Sequence, residues 1–514
     1  MCSARDSHHP SRLRGLRRAP GSPMIPPLEP QGAMTPIFDS LIRGGTVVTP
    51  AGVTATDIAI RDGRIAALGR DLGPARDEID ATGRLVLPGG VDPHAHVEQL
   101  SGMGLMNADT FETATRSAAM GGTTTVISFA AQKRGERPRD TIAAYSALAR
   151  RGAMVDHAFH LMATDPSVPG FAEDLKALAA EGHRSVKVFT TYNIGLTDAQ
   201  ILDVMTAAKA AGALVCVHAE TDALLNWTKS RLLAAGHTRP LHHALAHPRM
   251  AEIEAVERMC RFAEFLAQPV MLFHISTAEA VAAVRAARAR GAPVRAETCP
   301  HYLLQTAEVL DRPGVEGAKW MCSPPQRTPA DQEALWAALA DGTLDLVSSD
   351  HAPYRMDETG KLAAGPAPSF ERIANGLPGL ETRLPLLFDA MVSRGRGGPA
   401  AFARVTATAP ARLYGLAGKG EIAPGFDADL VLWDPARTVT YRADDLHDNA
   451  GYNPWEGHTV TGWPETVLVR GEVLVSGGRF HGTPGAGRLA PRPAPGFTAD
   501  HPPAPEVRFL EGQP

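Results

Sequence analysis

The sequence predicts a TIM-like parallel (β/α)8 barrel carrying a small β-sandwich domain built from both chain ends. Three observations predict this α/β class. Apolar strand-like runs alternate with Ala-rich helical stretches from Gly89 to about Leu416. Short strands with tight turns precede and follow that region. At 514 residues, the chain also exceeds one ordinary core and calls for a large domain plus a smaller one.

Residues 1–36 read as a disordered extension, rich in Arg and Pro and without the apolar stretch of a secretory signal. Met1, Met24 and Met34 all remain open as the start. Residues 37–88 form the first part of the sandwich: Leu41 to Val48 and Asp57 to Ile65 are β-rich, and Asp62-Gly63 signals a hairpin. The barrel spans 89–416. Its expected strands include Thr124–Ser128, His157–Met162, Ser185–Phe189, Leu214–Val217, Met271–Phe273, Pro293–Ala296 and Leu344–Val347.

Helices lie between them. Ala278–Arg290, for example, places apolar residues at helical spacing and arginines on the other face. Residues 417–483 complete the sandwich, with Leu468 to Leu474 mirroring the earlier hairpin. Residues 484–514 form a Pro-rich arm.

A formal net charge of -5 argues against a general nucleic-acid binder. No apolar run reaches membrane-spanning length. The five cysteines have no CxxC spacing and form no disulfide framework, so a reducing cytoplasm is the expected location.

Chemistry concentrates where strands are expected to end. His94-Ala95-His96 follows the strand-like Arg84–Pro88 and the turn Gly89-Gly90. On an extended segment, alternate residues point to the same side, which suits chelation of one cation. His218 and His274 end apolar runs, and Asp350 follows another. Each alone reads as a core histidine or a helix cap. Together they suit a hydrolytic metal centre. Lys187 is the unusual member, because an ammonium repels a cation and is costly to bury. Its neutral form can instead add carbon dioxide and become an anionic carbamate that bridges two metals. Glu98, Glu220 and Glu297 are read as supporting carboxylates, and Cys216 and Cys299 as buried apolar groups. His157, His160, His242, His243, His247 and His301 read as structural or surface residues.

From about Asp39 to Gly478, the chain resembles the dihydropyrimidinase and D-hydantoinase family of cyclic amidohydrolases. The segments that carry the resemblance include Pro88 to His96, Gly121 to Thr125, Val186 to Tyr192, Val217 to Glu220 and Glu297 to Tyr302. Cys322 to Pro325, Ser348 to Pro353 and Asn375 to Glu381 complete them. The resemblance implies two zinc ions, the first held by His94, His96 and Asp350 and the second by His218 and His274. Carboxylated Lys187 would bridge them. A hydroxide shared by the metals would attack the ring amide, Asp350 would carry the proton to the leaving nitrogen, and Tyr192 would donate to the oxyanion. Ser323 and Asn375 would grip the cyclic imide through their backbones. A homotetramer acting in pyrimidine catabolism on a small cyclic substrate is the implied assembly and role.

The chain departs from that family in two loops. Val97 to Asn107 is Met- and Gly-rich without aromatics, and Thr190-Thr191 follows the Lys187 segment, with Leu196 near a position often aromatic. These loops resemble those that embrace the ring substituent. Dihydroorotase is disfavoured by Glu98, where that family has an arginine. Allantoinase shares the ligands, but Tyr192, five residues after Lys187, favours the dihydropyrimidinase side. A non-catalytic assembly protein of the same fold is the reading from a different class. The complete ligand set argues against it.

Overall fold

The computed structural model describes residues 37–511. The extension expected over 1–36 therefore lies outside the described residues.

Eight parallel strands follow one another around a single sheet: Gly90–Ala95, Thr123–Ala131, Asp156–Met162, Ser185–Phe189, Leu214–His218, Val270–Leu272, Val294–Thr298 and Leu346–Val347. The ring closes where Ala95 bridges His351 in parallel and His96 N donates to His351 O at 2.7 Å. Strands buried on both faces explain why apolar residues are not confined to alternate positions, as in Val215-Cys216-Val217 and Val270-Met271-Leu272. Inward residues such as Phe129, Met162, Cys216, Met271 and Phe273 fill the barrel, and outward ones such as Val126, Val188, Val215 and Leu272 pack under the helices.

The sandwich joins both chain ends. Its larger sheet places Leu430–Thr440 and Thr459–Val469 beside Leu85–Pro88 and Thr46–Thr49, with Leu430 opposite Pro88. A four-stranded sheet of residues 38–80 covers it, and Ile42, Val47, Ile60, Val86, Leu430 and Leu468 fill the space between. Gly44 (φ 73°) breaks the apolar run Leu41 to Val48 into two strands that serve different sheets. Asp62 and Gly63 both take positive φ between paired strands, as a two-residue hairpin turn requires, and Arg470-Gly471 repeats the arrangement.

Leu85–Pro88 pairs within the sandwich sheet, and Gly90, expected in a turn, already starts the barrel strand that carries His94. Gly89, between the two, has no room for a side chain: a Cβ there would lie 2.2 Å from Thr124 Oγ1.

The Pro-rich segment after Pro484 runs under the barrel, at the end where strands begin. Ala490 N donates to His157 O, and the buried Arg492 guanidinium donates to Tyr414 O and Ser185 Oγ. Among the described residues, no helix is long and apolar enough to cross a membrane.

Candidate metal centre

At the opposite, C-terminal end of the barrel strands, the six ligand-type residues are brought together. His94 lies on the first strand and His96 just beyond it, Lys187 is central in the fourth, and His218 ends the fifth. His274 and Asp350 follow the sixth and eighth. Ligand atoms of His94, His96 and Asp350 all lie within 4.8 Å of one another, with Asp350 Oδ1 3.0 Å from His94 Nε2 and 3.7 Å from His96 Nε2. The His218 and His274 rings meet edge to face at 4.6 Å, and His274 is 5.6 Å from His94 between centroids.

Three of the four histidine rings are held from behind. His94 Nδ1 lies 2.5 Å from Glu297 Oε1, and His96 Nδ1 lies 2.8 Å from Gln99 Oε1. His218 Nε2 meets Glu220 Oε2 at 2.9 Å, so its other ring nitrogen is the one left for a metal. Such partners fix tautomer and orientation in metal sites. Burial pulls the pKa of all four histidines below the usual imidazole value, that of His96 to about 4. They are therefore neutral, the form that binds metal.

Lys187 is almost wholly buried, its Nζ 3.9 Å from the centre of the Phe273 ring and 4.8 Å from that of Phe189. Burial draws its pKa down to about 7 against the opposing pull of Asp350. Much of the amine is then uncharged at neutral pH, the state that adds carbon dioxide.

Backbone strain collects here. Among the described residues, eight non-glycine residues have positive φ, and Tyr192, His274 and Asp350 are three of them. Asp92 stabilises the strand end from below: its Oδ1 accepts from His94 N and Ser349 N, and its Oδ2 lies 3.3 Å from the buried Arg383 Nε. His351, beside Asp350, is occupied elsewhere, with Nε2 on Asp109 and Nδ1 accepting from Gly379 N.

The centre opens into a cavity of about 570 Å³, lined also by Tyr192, Ser323 and Asn375. Ser323 Oγ and Asn375 Oδ1 are buried there without a hydrogen-bond partner among the described residues. Tyr192 is 37% exposed at the cavity mouth, and desolvation where its phenol faces the cavity, with the charge of Glu220, holds its pKa above the usual tyrosine value, so it remains a donor. The loops after His96 and Lys187 meet at the mouth, where Asn193 Nδ2 donates to Gly102 O at 2.5 Å. Leu196, expected near that mouth, is buried in the outer core of the barrel instead.

The structure separates the expected supporting carboxylates. Glu220 and Glu297 sit behind His218 and His94, whereas Glu98 turns outward to Arg151. His243 and His247, read from sequence as structural or surface groups, line the cavity. His247 Nδ1 shares Glu220 with His218, and His243 Nε2 lies 2.7 Å from Cys322 O. No local pattern announces them, since their partners come from distant loops.

Residues 85–474 match the amidohydrolase family. The D-hydantoinase of Rhizobium radiobacter is 40% identical over 459 residues, covering 88% of this chain and 99% of that protein. The chain belongs to the amidohydrolase family, on its hydantoinase branch. A D-hydantoinase of Ralstonia pickettii is 39% identical, over 88% of this chain and 99% of its own. The crystal structure of a dihydropyrimidinase from Brevibacillus agri superposes with a TM-score of 0.86 at 38% identity, covering 90% of this chain and all of that one. Membership of this branch places the chain among hydrolases of cyclic amides.

Proposed function

We propose that this protein is a two-zinc hydrolase that opens the ring amide of 5,6-dihydropyrimidines or 5-substituted hydantoins to N-carbamoyl amino acids. The observation that carries the reading is Lys187: a buried amine with lowered pKa, packed among four neutral histidines and Asp350 at the barrel mouth. An ammonium has no favourable place there, and a carbamate does.

The residues fit the metal pair. His94, His96 and Asp350 would hold one ion and His218 and His274 the other, with carboxylated Lys187 between them. The donor set of neutral imidazole and carboxylate oxygen is that of catalytic zinc. When bound, the pair supplies Lewis acidity that activates water and polarises the scissile carbonyl.

This chain's residues do the rest. Asp350, held in a strained backbone conformation at the edge of the centre, accepts the water proton and returns it to the leaving ring nitrogen. Tyr192 keeps its phenolic proton and donates to the oxyanion as charge develops there. Backbone groups at Ser323 and Asn375 read the alternating donors and acceptors of the imide. The 101–103 and 191–194 loops surround the ring substituent. A soluble cytoplasmic homotetramer completes the proposal.

Ring opening of dihydrouracil, dihydrothymine, 5-substituted hydantoins and allantoin, assayed side by side on zinc-loaded protein, tests it. Turnover of dihydropyrimidines or hydantoins supports the reading. Preference for allantoin would overturn the substrate assignment, and inertness towards all would overturn the enzyme reading.

A further inference from the structure

Lys361 is buried as deeply as Lys187, with no exposed surface, and the catalytic scheme does not use it. A tight local turn turns it inward. Asp357 Oδ1 accepts from Thr359 N and Oγ1, Gly360 N donates to Asp357 O, and Lys361 N donates to Arg355 O at 2.8 Å. Gly360 allows this approach, since a Cβ there would lie 2.3 Å from Arg355 O.

The ammonium points at two backbone carbonyls, donating to Ala374 O at 2.8 Å and reaching Met321 O at 3.5 Å. Those carbonyls precede Asn375 and the Cys322-Ser323 pair. Gly376 N also donates to Met321 O at 2.8 Å, so the same two loops touch directly. Gly376 is packed against the metal side as well: a Cβ there would lie 2.2 Å from Ala352 O. Burial draws the Lys361 pKa down to about 7. A long polar side chain buried in the interior whose hydrogen bonds go to backbone carbonyls of two neighbouring loops is placed to tie those loops together.

We propose that Lys361 is a positioning residue that locks together the two substrate-gripping loops, 321–324 and 374–376, from behind the cavity. The inference rests on the assignment of those loops to the imide. Lys361 touches neither the metal ligands nor the cavity. It acts by holding the Ser323 and Asn375 backbones at a fixed separation, so that both meet one small ring at once. Losing it weakens binding of substrate and transition state alike, which appears in KM and leaves kcat nearly unchanged.

The test compares zinc-loaded wild type with Lys361→Met, which keeps the length and removes the donor, and Lys361→Gln, which keeps a donor. Steady-state ring opening of dihydrouracil or a hydantoin and amide hydrogen exchange are measured on each. The expected result for Lys361→Met is a KM raised about 10- to 100-fold, the cost of leaving a buried carbonyl without its donor. Its zinc content is unchanged, and exchange accelerates only over 320–326 and 372–378. Lys361→Gln falls between it and wild type. Unchanged KM and exchange in Lys361→Met would overturn the proposal. So would equal losses of kcat and melting temperature with exchange accelerated throughout, the mark of a merely structural residue. If wild type opens no ring while Lys361→Met still loosens the two loops, the ring-opening reading fails and the lock stands.

Discussion

The Nδ1 of His94 and the Oε1 of Glu297 lie 2.5 Å apart, although 203 residues separate them in sequence. Burial pushes the Glu297 carboxyl pKa well up, against the opposing effects of a Ser348 hydrogen bond and the charge of Lys187. The contact therefore orients the His94 ring from beneath. Glu297→Gln should weaken zinc binding roughly 10- to 100-fold, the usual effect of removing an outer partner of a metal-bound histidine. Competition with a chromogenic chelator reads this directly, and unchanged affinity would show that Glu297 serves packing only.

Lys187→Ala should abolish binding of the metal pair, with partial recovery when acetate or propionate is supplied. Full zinc content without rescue would remove Lys187 from the ligand set. In the wild type, reconstitution with zinc and bicarbonate should decline as pH falls through about 7, because the protonated amine has no lone pair for carbon dioxide. Metal uptake that is flat from pH 8 to about 6 would contradict this.

Asn193→Ala should release the loop after His96, since its amide donates to Gly102 O at the cavity mouth. Ser101 Oγ and backbone bonds shape the loop itself, and with Met103 and Met106 about half exposed, at 50% and 53%, the Asn193 amide is a tie between its tip and the neighbouring loop. KM for hydantoins with bulky 5-substituents should change severalfold while unsubstituted dihydrouracil is turned over as before. Equal effects on both would place the loop outside substituent recognition.

Asp331 joins three helices. It caps Pro329–Asp341 through Thr328, accepts from Ala278 N at the start of another, and pairs with Arg249 at the start of a third through two 2.7 Å bonds. Burial alone would raise its pKa, but the Arg249 and Thr328 bonds hold it below the usual carboxylate range. A depressed folded pKa contributes stability above the unfolded value, about 3.9, that is lost as pH falls below it. Asp331→Asn should cost about 2 kcal/mol at neutral pH, and its melting temperature should converge with wild type in acid. Parallel pH curves for the two proteins would contradict the assignment.

How much of this was legible in sequence follows from the range of each signal. His218 could be placed at a strand end because Leu214 to Val217 is a local apolar run, and β periodicity is a local property. Asp62-Gly63 announced its hairpin for the same reason. The change of texture after Pro88 was legible, but Gly89-Gly90 read as a turn because glycine has no strand signal, and only pairing with Thr123 shows Gly90 to be the first residue of a barrel strand. His247 and Lys361 were missed because what defines them, Glu220 and two loop carbonyls, lies 27 residues or more away or on a different loop. Leu196 packs in the outer core, and the sequence of a loop does not say which of its apolar side chains turns inward.

Zinc titration of the metal-free protein in bicarbonate, with ring opening of dihydrouracil and a 5-substituted hydantoin followed at each step, tests the central claim most directly. The account predicts activity rising with bound zinc and levelling at two ions per chain. Full zinc occupancy without ring opening, or full activity in the metal-free protein, would contradict it.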